Sequence, residues 1–421
     1  MSNPLRGCVA AGLLAVLTGA GAQTAELGAS VEGLLVLARE RNPEIAAMRH
    51  EAQAFDERVA PAGALPDPKF RVELEDVTKG GEQNATVLPS RVGATSYLLM
   101  QDFPWAGKRD LKRDIALFDA EGALGRVRQS WADLAARIKT TFVQRYLIQG
   151  TQRLVGENID LMLQLEKVLQ VRYAGGLAAQ QDITRIHVEH TGMRAELVAL
   201  ANEWRQTQAR LNALLARPAQ TELAAPALLR TVPEPAKLDF NALSERLRGA
   251  NPQLFVTTAG VRSAEKARDL TLKNRYPDFT VGLTAMQSQN SLREWGLMLE
   301  FNIPLQQNAR KSQEREAEAM LAAARARQEA AANQALADLS DNLYALAGAR
   351  ETERLMTFSL MPQADLTWRA ALAGYENGKL DFATLLDAQR QIRQARLSQL
   401  KAQVDAQMRL IEIERLLGEE V

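Results

Sequence analysis

Few side chains in this sequence could carry out chemistry. It contains three histidines and one cysteine, and its 11 methionines are scattered. His187 and His190 lie three residues apart, on one face of an expected helix, and the acidic residues Asp182 and Glu189 are close by in the sequence. These residue types can bind zinc, but two polar residues on a helix surface or packing seam would give the same pattern.

No familiar catalytic motif accompanies these residues. The sequence has no HExxH zinc motif, no GxxxxGK(S/T) phosphate loop and no GxSxG nucleophile motif. Copper(I) sites need clustered thioether or thiolate ligands, and the methionines are not clustered. We therefore predict no catalytic residues, no metal site and no cofactor, and we expect that the protein is not an enzyme.

The elements that must position any site occur twice. The segment that begins Tyr173-Ala174-Gly175-Gly176 returns as one that begins Tyr375-Glu376-Asn377-Gly378, at an offset of 375 − 173 = 202 residues. Asn42-Pro43 likewise returns as Asn251-Pro252. This duplication predicts a first repeat at residues 23–217, a proline-rich linker at 218–235 and a second repeat at 236–421.

The first 22 residues are typical of a secretory signal peptide. Arg6 precedes an apolar run from Val9 to Thr18, and Ala20-Gly21-Ala22 is suited to cleavage. A short membrane anchor is the alternative, but the run is shorter than the roughly 18 residues that a span needs. The only cysteine, Cys8, would be lost with the signal. The 51 basic and 51 acidic residues balance, so nucleic acid is not an expected partner.

Long helices account for most of each repeat. Proline is absent and glycine is sparse from Lys108 to Tyr173, which predicts one helix of about 100 Å at 1.5 Å per residue. A turn at about 174–178 leads into a returning helix that ends at Leu215. The second repeat is expected to mirror this with a long helix from Asn308 to Gly374, a turn at about 376–379 and a return to Gly418. Shorter helices are expected from Val31 to about Ala60 and from Leu238 to Asn274.

Alternating apolar and polar residues predict two strands in each repeat, at about 69–76, 91–103, 277–285 and 294–303. Ten residues is the length of a tilted strand that crosses an outer membrane, and four strands cannot close a barrel alone, so several copies must share one. Trp105 and Trp295 are expected at the membrane interfaces. A small soluble sheet is the alternative. The side chains expected to face lipid are Phe279, Val281, Leu283, Leu297, Leu299 and Phe301.

The order and duplication of these segments resemble the TolC family of outer-membrane efflux ducts. The segments are Arg172-Tyr173-Ala174-Gly175-Gly176-Leu177, Gly374-Tyr375-Glu376-Asn377-Gly378 with Leu385-Leu386-Asp387-Ala388-Gln389, and the helix ends Leu211–Leu215 and Arg415–Gly418. Leu65-Pro66-Asp67-Pro68 and Gln101–Arg109 are most similar to the heavy-metal branch, the outer component of cobalt-zinc-cadmium export systems.

The resemblance implies a mainly α fold with a small β part. Three copies would form a 12-stranded outer-membrane β-barrel on a 12-helix periplasmic α-barrel. Such a homotrimer is set in outer-membrane lipid, extends into the periplasm, and is a passive exit for an inner-membrane pump joined through a periplasmic adaptor protein. A drug-efflux duct or a type I secretion duct is the alternative within this class. A soluble periplasmic coiled-coil scaffold is the alternative outside it.

The resemblance also implies a gate at the two hairpin turns. Asp387 lies where the family carries aspartates that ring the periplasmic mouth, and Thr384 stands where a second acid is common. Asp182 and Asp387 would also be favoured near helix N-termini without any gating role. The residues expected in the charged ring are Asp387, Asp381, Glu376 and Asp182, and those expected to close the turns are Tyr173, Tyr375, Arg185 and Arg390.

Overall fold

The computed structural model describes residues 27–82, 84–288, 291–303 and 305–421, so the expected signal peptide lies outside the described residues. The described chain is mainly helical with one four-stranded sheet. In the first half the elements are α1 (Val31–Arg41), α2 (Pro43–Asp56), α3 (Val59–Gly63), β1 (Lys69–Glu75), β2 (Ala94–Phe103), α4 (Lys108–Ala174) and α5 (Gln180–Leu214). In the second half they are a 3-10 turn (Pro235–Leu238), α6 (Phe240–Ala250), α7 (Pro252–Lys273), β3 (Phe279–Ser288), β4 (Ser291–Phe301), α8 (Gln307–Leu355), a π-helical turn (Met356–Leu360), α9 (Met361–Glu376) and α10 (Phe382–Leu417).

The sheet is a meander in which neighbouring strands are antiparallel, in the order β1-β2-β3-β4. Its register places Phe103, Phe279 and Phe301 side by side across three strands. Because side chains alternate along a strand, the predicted lipid-facing residues share one face. On β4 that face is strongly exposed in the single chain, with Leu297 at 79% and Leu299 at 57%. Burying so much apolar surface requires an apolar surrounding or other copies.

The helix expected from Val31 to Ala60 is instead three helices, and the one expected from Leu238 to Asn274 is interrupted at Asn251. The cause is the same in both repeats. Asn42 and Asn251 each precede a proline and adopt extended backbone, with ψ values of 122° and 121°. Proline disfavours helical backbone in the residue before it and lacks the N–H that a continuous helix needs. Each asparagine therefore ends one helix and begins the next.

The second long helix also differs from the prediction. α8 passes into α9 through the π-helical turn at Met356–Leu360, which is followed by Pro362. A proline inside a helix removes one hydrogen bond and clashes with the carbonyl four residues earlier, and the wider turn accommodates both effects. The corresponding helix α4 has no proline and runs through 67 residues.

Three larger apolar clusters of described residues hold the helices together, and a small fourth cluster joins α9 to α10. One joins α1 to the middle of α4 and the ends of α5 and α10, around Leu34, Ile138 and Leu211. A second joins α6 to α8 and the end of α10, around Leu247 and Leu339. The third lies at the far end, where α4, α5, α9 and α10 meet near their turns. None of the described helices is both long and apolar enough to span a membrane.

Candidate gate at the hairpin tips

The two hairpin turns, here called the tips, lie side by side. Each turn contains a glycine with positive φ, Gly176 at 71° and Gly378 at 68°, a conformation that glycine adopts without strain. The guanidinium of Arg172 joins the tips, since it donates to the main-chain carbonyl of Tyr375 at 2.8 Å and lies 4.7 Å from the centre of the Tyr375 ring. The ring also packs edge-on against Phe382. Arg172 and Tyr375 therefore hold the two hairpins of one chain together.

Tyr375 is one of the residues expected to close the tips. Its hydroxyl is buried inside the tip and has no hydrogen-bond partner among the described residues. Burial is the first reason that its pKa is raised above the ordinary value. Tyr375 contacts Arg172 through its ring and its carbonyl, while the Tyr173 side chain is 45% exposed.

The predicted ring residues have different surroundings. Asp387 lies on α10 with its side chain 66% exposed, 3.5 Å from Arg390. Asp381 caps α10, where its carboxylate accepts from the Thr384 N–H at 2.9 Å, and hydrogen bonding to Thr384 holds its pKa below the ordinary value. The Asp381 carboxylate therefore serves as the N-cap of α10. Glu376 is exposed, and its carbonyl accepts weakly from Arg172 at 3.4 Å.

Arg185 and Arg390, which were expected to help close the tips, form ion pairs within the chain. Arg390 on α10 forms an ion pair with Glu189 on α5, and Arg185 lies 3.8 Å from Asp182, one turn away on α5. Arg185, Glu189 and Arg390 border a groove of about 340 Å³ between α5 and α10, which Asp387 also lines. The structure thus brings Asp387, Arg185 and Arg390 together beside one groove. Asp182, on α5 with Arg185, has a side chain that is only 16% exposed, and its charge helps to raise the pKa of Tyr375 after the larger effect of burial.

The two tryptophans lie toward opposite ends of the sheet. Trp105 follows β2 and stacks on Tyr276 with ring centres 5.2 Å apart. Trp295 on β4 pairs in register with Ala285 and is 66% exposed on the apolar face. Tyr97 is level with Trp295 in the sheet register, and six residues of β2, or about 20 Å, lead from Tyr97 to Phe103, two residues before Trp105. That spacing suits aromatic side chains at both edges of an apolar band.

The histidines do not converge on a candidate metal site. His187 is more than half exposed, and its nearest acid is Glu166 on α4 at 3.7 Å. Across the described ranges, no group of three or more histidine, cysteine, aspartate or glutamate side chains is placed to hold a metal ion.

Sequence reasoning missed two buried asparagines, Asn42 and Asn251, whose side chains each join the start of one helix to the end of another. The side-chain oxygen of Asn42 caps α2, and its amide donates to the Leu214 carbonyl at 2.8 Å. Asn251 caps α7 in the same way and donates to the Leu416 carbonyl at 2.7 Å. Both asparagines are buried. The repeated Asn-Pro pair is a helix-start signal that could have identified them.

Two buried cations were also missed. Lys139 on α4 pairs with the buried Glu414 at 2.7 Å and with Glu420 at 3.0 Å. Arg145, also on α4, lies 3.8 Å from the Trp204 ring centre, donates to the Leu223 carbonyl of the linker, and has its pKa lowered to about 10 by burial. Sequence alone gave no signal for either, because their partners are between 59 and 281 residues away.

The comparisons with known proteins agree with this architecture. Residues 34–217 and 243–419 match the family model described as outer membrane efflux protein. The cobalt-zinc-cadmium resistance protein CzcC of Cupriavidus metallidurans is 24% identical over 395 residues, which cover 92% of this chain and 90% of that protein.

Solved structures show the same fold. The outer membrane protein VceC from Vibrio cholerae aligns with a TM-score of 0.79 at 16% identity over 93% of this chain and 96% of that one. CusC aligns with a TM-score of 0.80 at 15% identity over 92% of each chain. The predicted resemblance to the TolC family, and the fold class with it, is confirmed. The chain therefore belongs to the outer membrane efflux protein family, and its location is the outer membrane with an extension into the periplasm.

Proposed function

We propose that this protein is the passive exit duct of a tripartite system that exports divalent heavy-metal ions. The observation that carries the cargo proposal is the match to CzcC along 92% of the chain. The protein would break or form no bonds, and an inner-membrane pump, coupled through a periplasmic adaptor, would supply the energy. The two repeats at 23–217 and 236–421 would each contribute two strands and one long hairpin to the duct.

The proposed working unit is a homotrimer. The apolar face of the sheet and the unpaired outer edges of β1 and β4 support it, because an open sheet edge is not tolerated in lipid. Three copies give 3 × 4 = 12 strands, which is enough for a closed barrel. Membership of the outer membrane efflux protein family decides against the soluble scaffold.

The growth of a strain that lacks this gene tests which cargo the protein exports. Loss of the gene should sensitise cells to zinc, cobalt or cadmium more than to dyes or detergents, and the intact gene should restore resistance. Sensitivity to drugs or bile alone would contradict the metal proposal and favour the drug-efflux duct. A secretion defect without either sensitivity would favour the type I secretion duct.

The proposed gate is a ring of three Asp387 carboxylates at the periplasmic mouth. The high exposure of Asp387 beside the groove between α5 and α10 supports this position. A ring of like charges attracts cations, so the channel should be cation-selective and blocked by multivalent cations.

Conductance across planar bilayers tests the ring. Asp387→Ala should weaken both cation selectivity and block without changing the amount of trimer. Asp405→Ala is a matched control, because Asp405 lies on the same helix, pairs with Arg409 and is 18 residues farther from the tip. Unchanged selectivity and block in the Asp387 variant would place the ring at Glu376 or Asp381.

A further inference from the structure

One face of the second hairpin is apolar and has no partner among the described residues. Leu355, Phe358, Pro362 and Leu366 follow one another at intervals of three, four and four residues, so they form one stripe along the π-helical turn and α9. All four are exposed, with Phe358 at 76% and Leu366 at 66%. We call them the α9 stripe. A stripe of this kind without charges is typical of a helix that packs against another.

The first hairpin carries a matching apolar face on α5. Val188, Gly192, Ala195 and Ala199 are exposed and spaced by four, three and four residues. Val188 is 64% exposed, and a side chain added at Gly192 would meet no atom within 4 Å. We call these residues the α5 face. It also contains no charged residue, so neither surface would leave an unpaired charge if the two came together.

The two surfaces lie at the same heights above the tips. Counted from Gly176, the α5 face occupies positions 12, 16, 19 and 23, and counted from Gly378, the α9 stripe occupies positions 12, 16, 20 and 23. The tips share one level, since Arg172 beside the first turn bonds to the carbonyl of Tyr375 beside the second. Each bulky side chain of α9 therefore lies at the same height as a valine, glycine or alanine of α5, to within one residue.

Within one chain, α5 and α9 do not pack extensively against each other over the described residues. α5 packs on α4, α4 on α10, and α10 on α9, so α5 and α9 are the outer helices of the four. The sheet is arranged in the same way, because β1 of the first repeat and β4 of the second form its two open edges. Closing the barrel brings the second repeat of one copy beside the first repeat of the next, which gives a head-to-tail contact.

We propose that the α9 stripe of one copy packs against the α5 face of the next copy and forms the seam of the periplasmic helical barrel. This assignment rests on the proposed trimer. The large side chains would insert between the smaller ones along about 16 Å of helix, at 1.5 Å per residue over 11 residues.

Pairs of introduced cysteines test the register of this seam. Leu366→Cys with Val188→Cys, and Leu355→Cys with Ala199→Cys, place one thiol on each surface at equal heights. Mild oxidation of the membrane-embedded protein should convert the monomer band to covalent dimers and closed trimers on non-reducing gels, and reduction should reverse this. Each single variant should stay monomeric on the gel, because a head-to-tail contact does not bring identical residues together.

The same four cysteines in exchanged pairs provide the matched control. Leu366→Cys with Ala199→Cys, and Leu355→Cys with Val188→Cys, separate the thiols by 11 helical residues or about 16 Å, beyond the 4.4–6.8 Å that a disulfide spans between Cα atoms. Only the matched pairs should cross-link. Equal cross-linking of exchanged pairs, or a disulfide inside one chain, would overturn the proposed seam.

The assembly state of each variant separates this proposal from the trimer itself. Intact trimers without cross-linking in either matched pair would overturn the seam alone, whereas a wild-type protein that is not trimeric would overturn both. Phe358→Arg gives an independent measurement and should reduce the trimer fraction. Val36→Arg, at a comparably exposed position on α1, should leave the trimer fraction unchanged.

Discussion

Asn251→Ala should destabilise the protein strongly, although the substitution removes only one small polar side chain. The buried asparagine makes two contacts at once. Its oxygen accepts from the Leu254 N–H at 2.8 Å, which caps α7, and its amide donates to the Leu416 carbonyl at 2.7 Å, near the end of α10. It therefore joins the start of one helix to the end of another 165 residues away.

The magnitude follows from these two contacts. Loss of a side-chain cap costs about 0.5–2 kcal/mol, and a buried carbonyl left without a donor costs about 1–3 kcal/mol. We expect Asn251→Ala to lower the free energy of unfolding by about 2–4 kcal/mol, since the two effects overlap in part. Asn251→Ser keeps an oxygen for the cap but cannot reach the carbonyl, so it should lie between the wild type and the alanine variant.

Urea unfolding of the detergent-solubilised protein, followed by tryptophan fluorescence, measures the change. Asn42→Ala should give a similar loss, because Asn42 makes the equivalent bonds to Ile45 and Leu214. Asn241→Ala serves as a control, since that side chain is exposed and only its main-chain carbonyl is used, by Ser244. A loss below about 0.5 kcal/mol, the ordinary range for surface substitutions, would refute the proposed role of Asn251 in joining α7 to α10.

Three further outcomes are expected. Leu299→Arg on the apolar face of the sheet should destabilise the membrane-embedded protein by about 2–4 kcal/mol, whereas Met298→Arg on the opposite face should be tolerated; equal refolding yields into lipid would contradict the facial assignment. Tyr375→Phe should leave channel conductance unchanged and the melting temperature equal or higher, because the buried hydroxyl has no partner; a clear fall in melting temperature would show that the hydroxyl is bonded. The hydrogen bond from Lys139 holds the pKa of Glu420 below its ordinary value of 4.5, so this pair contributes stability above that pH and loses it as the pH falls through the folded-state pKa. Glu420→Gln should therefore make the urea midpoint less sensitive to acid, and identical acid profiles would contradict this linkage.

Local patterns in the sequence were sufficient for most of the fold. Strict alternation predicts β1 because a strand with two different faces needs a period of two, and the proline-free run from Lys108 predicts α4 because nothing interrupts its hydrogen bonds. The repeated turns predict the hairpins because glycine with positive φ ends a helix. The helix interruptions at Asn42, Asn251 and Pro362 could also have been predicted from the sequence, because each lies at or next to a proline.

Tertiary structure alone decided which side chains meet. Arg172 bonds to the carbonyl of Tyr375, 203 residues away, and Lys139 is buried against Glu414, 275 residues away. The sequence determined a duplicated chain with strands and long hairpins, since hydrogen bonding and hydrophobic periodicity act over a few residues. The burial of the Tyr375 hydroxyl and the matching heights of α5 and α9 depend instead on how separate helices pack, which no local pattern encodes.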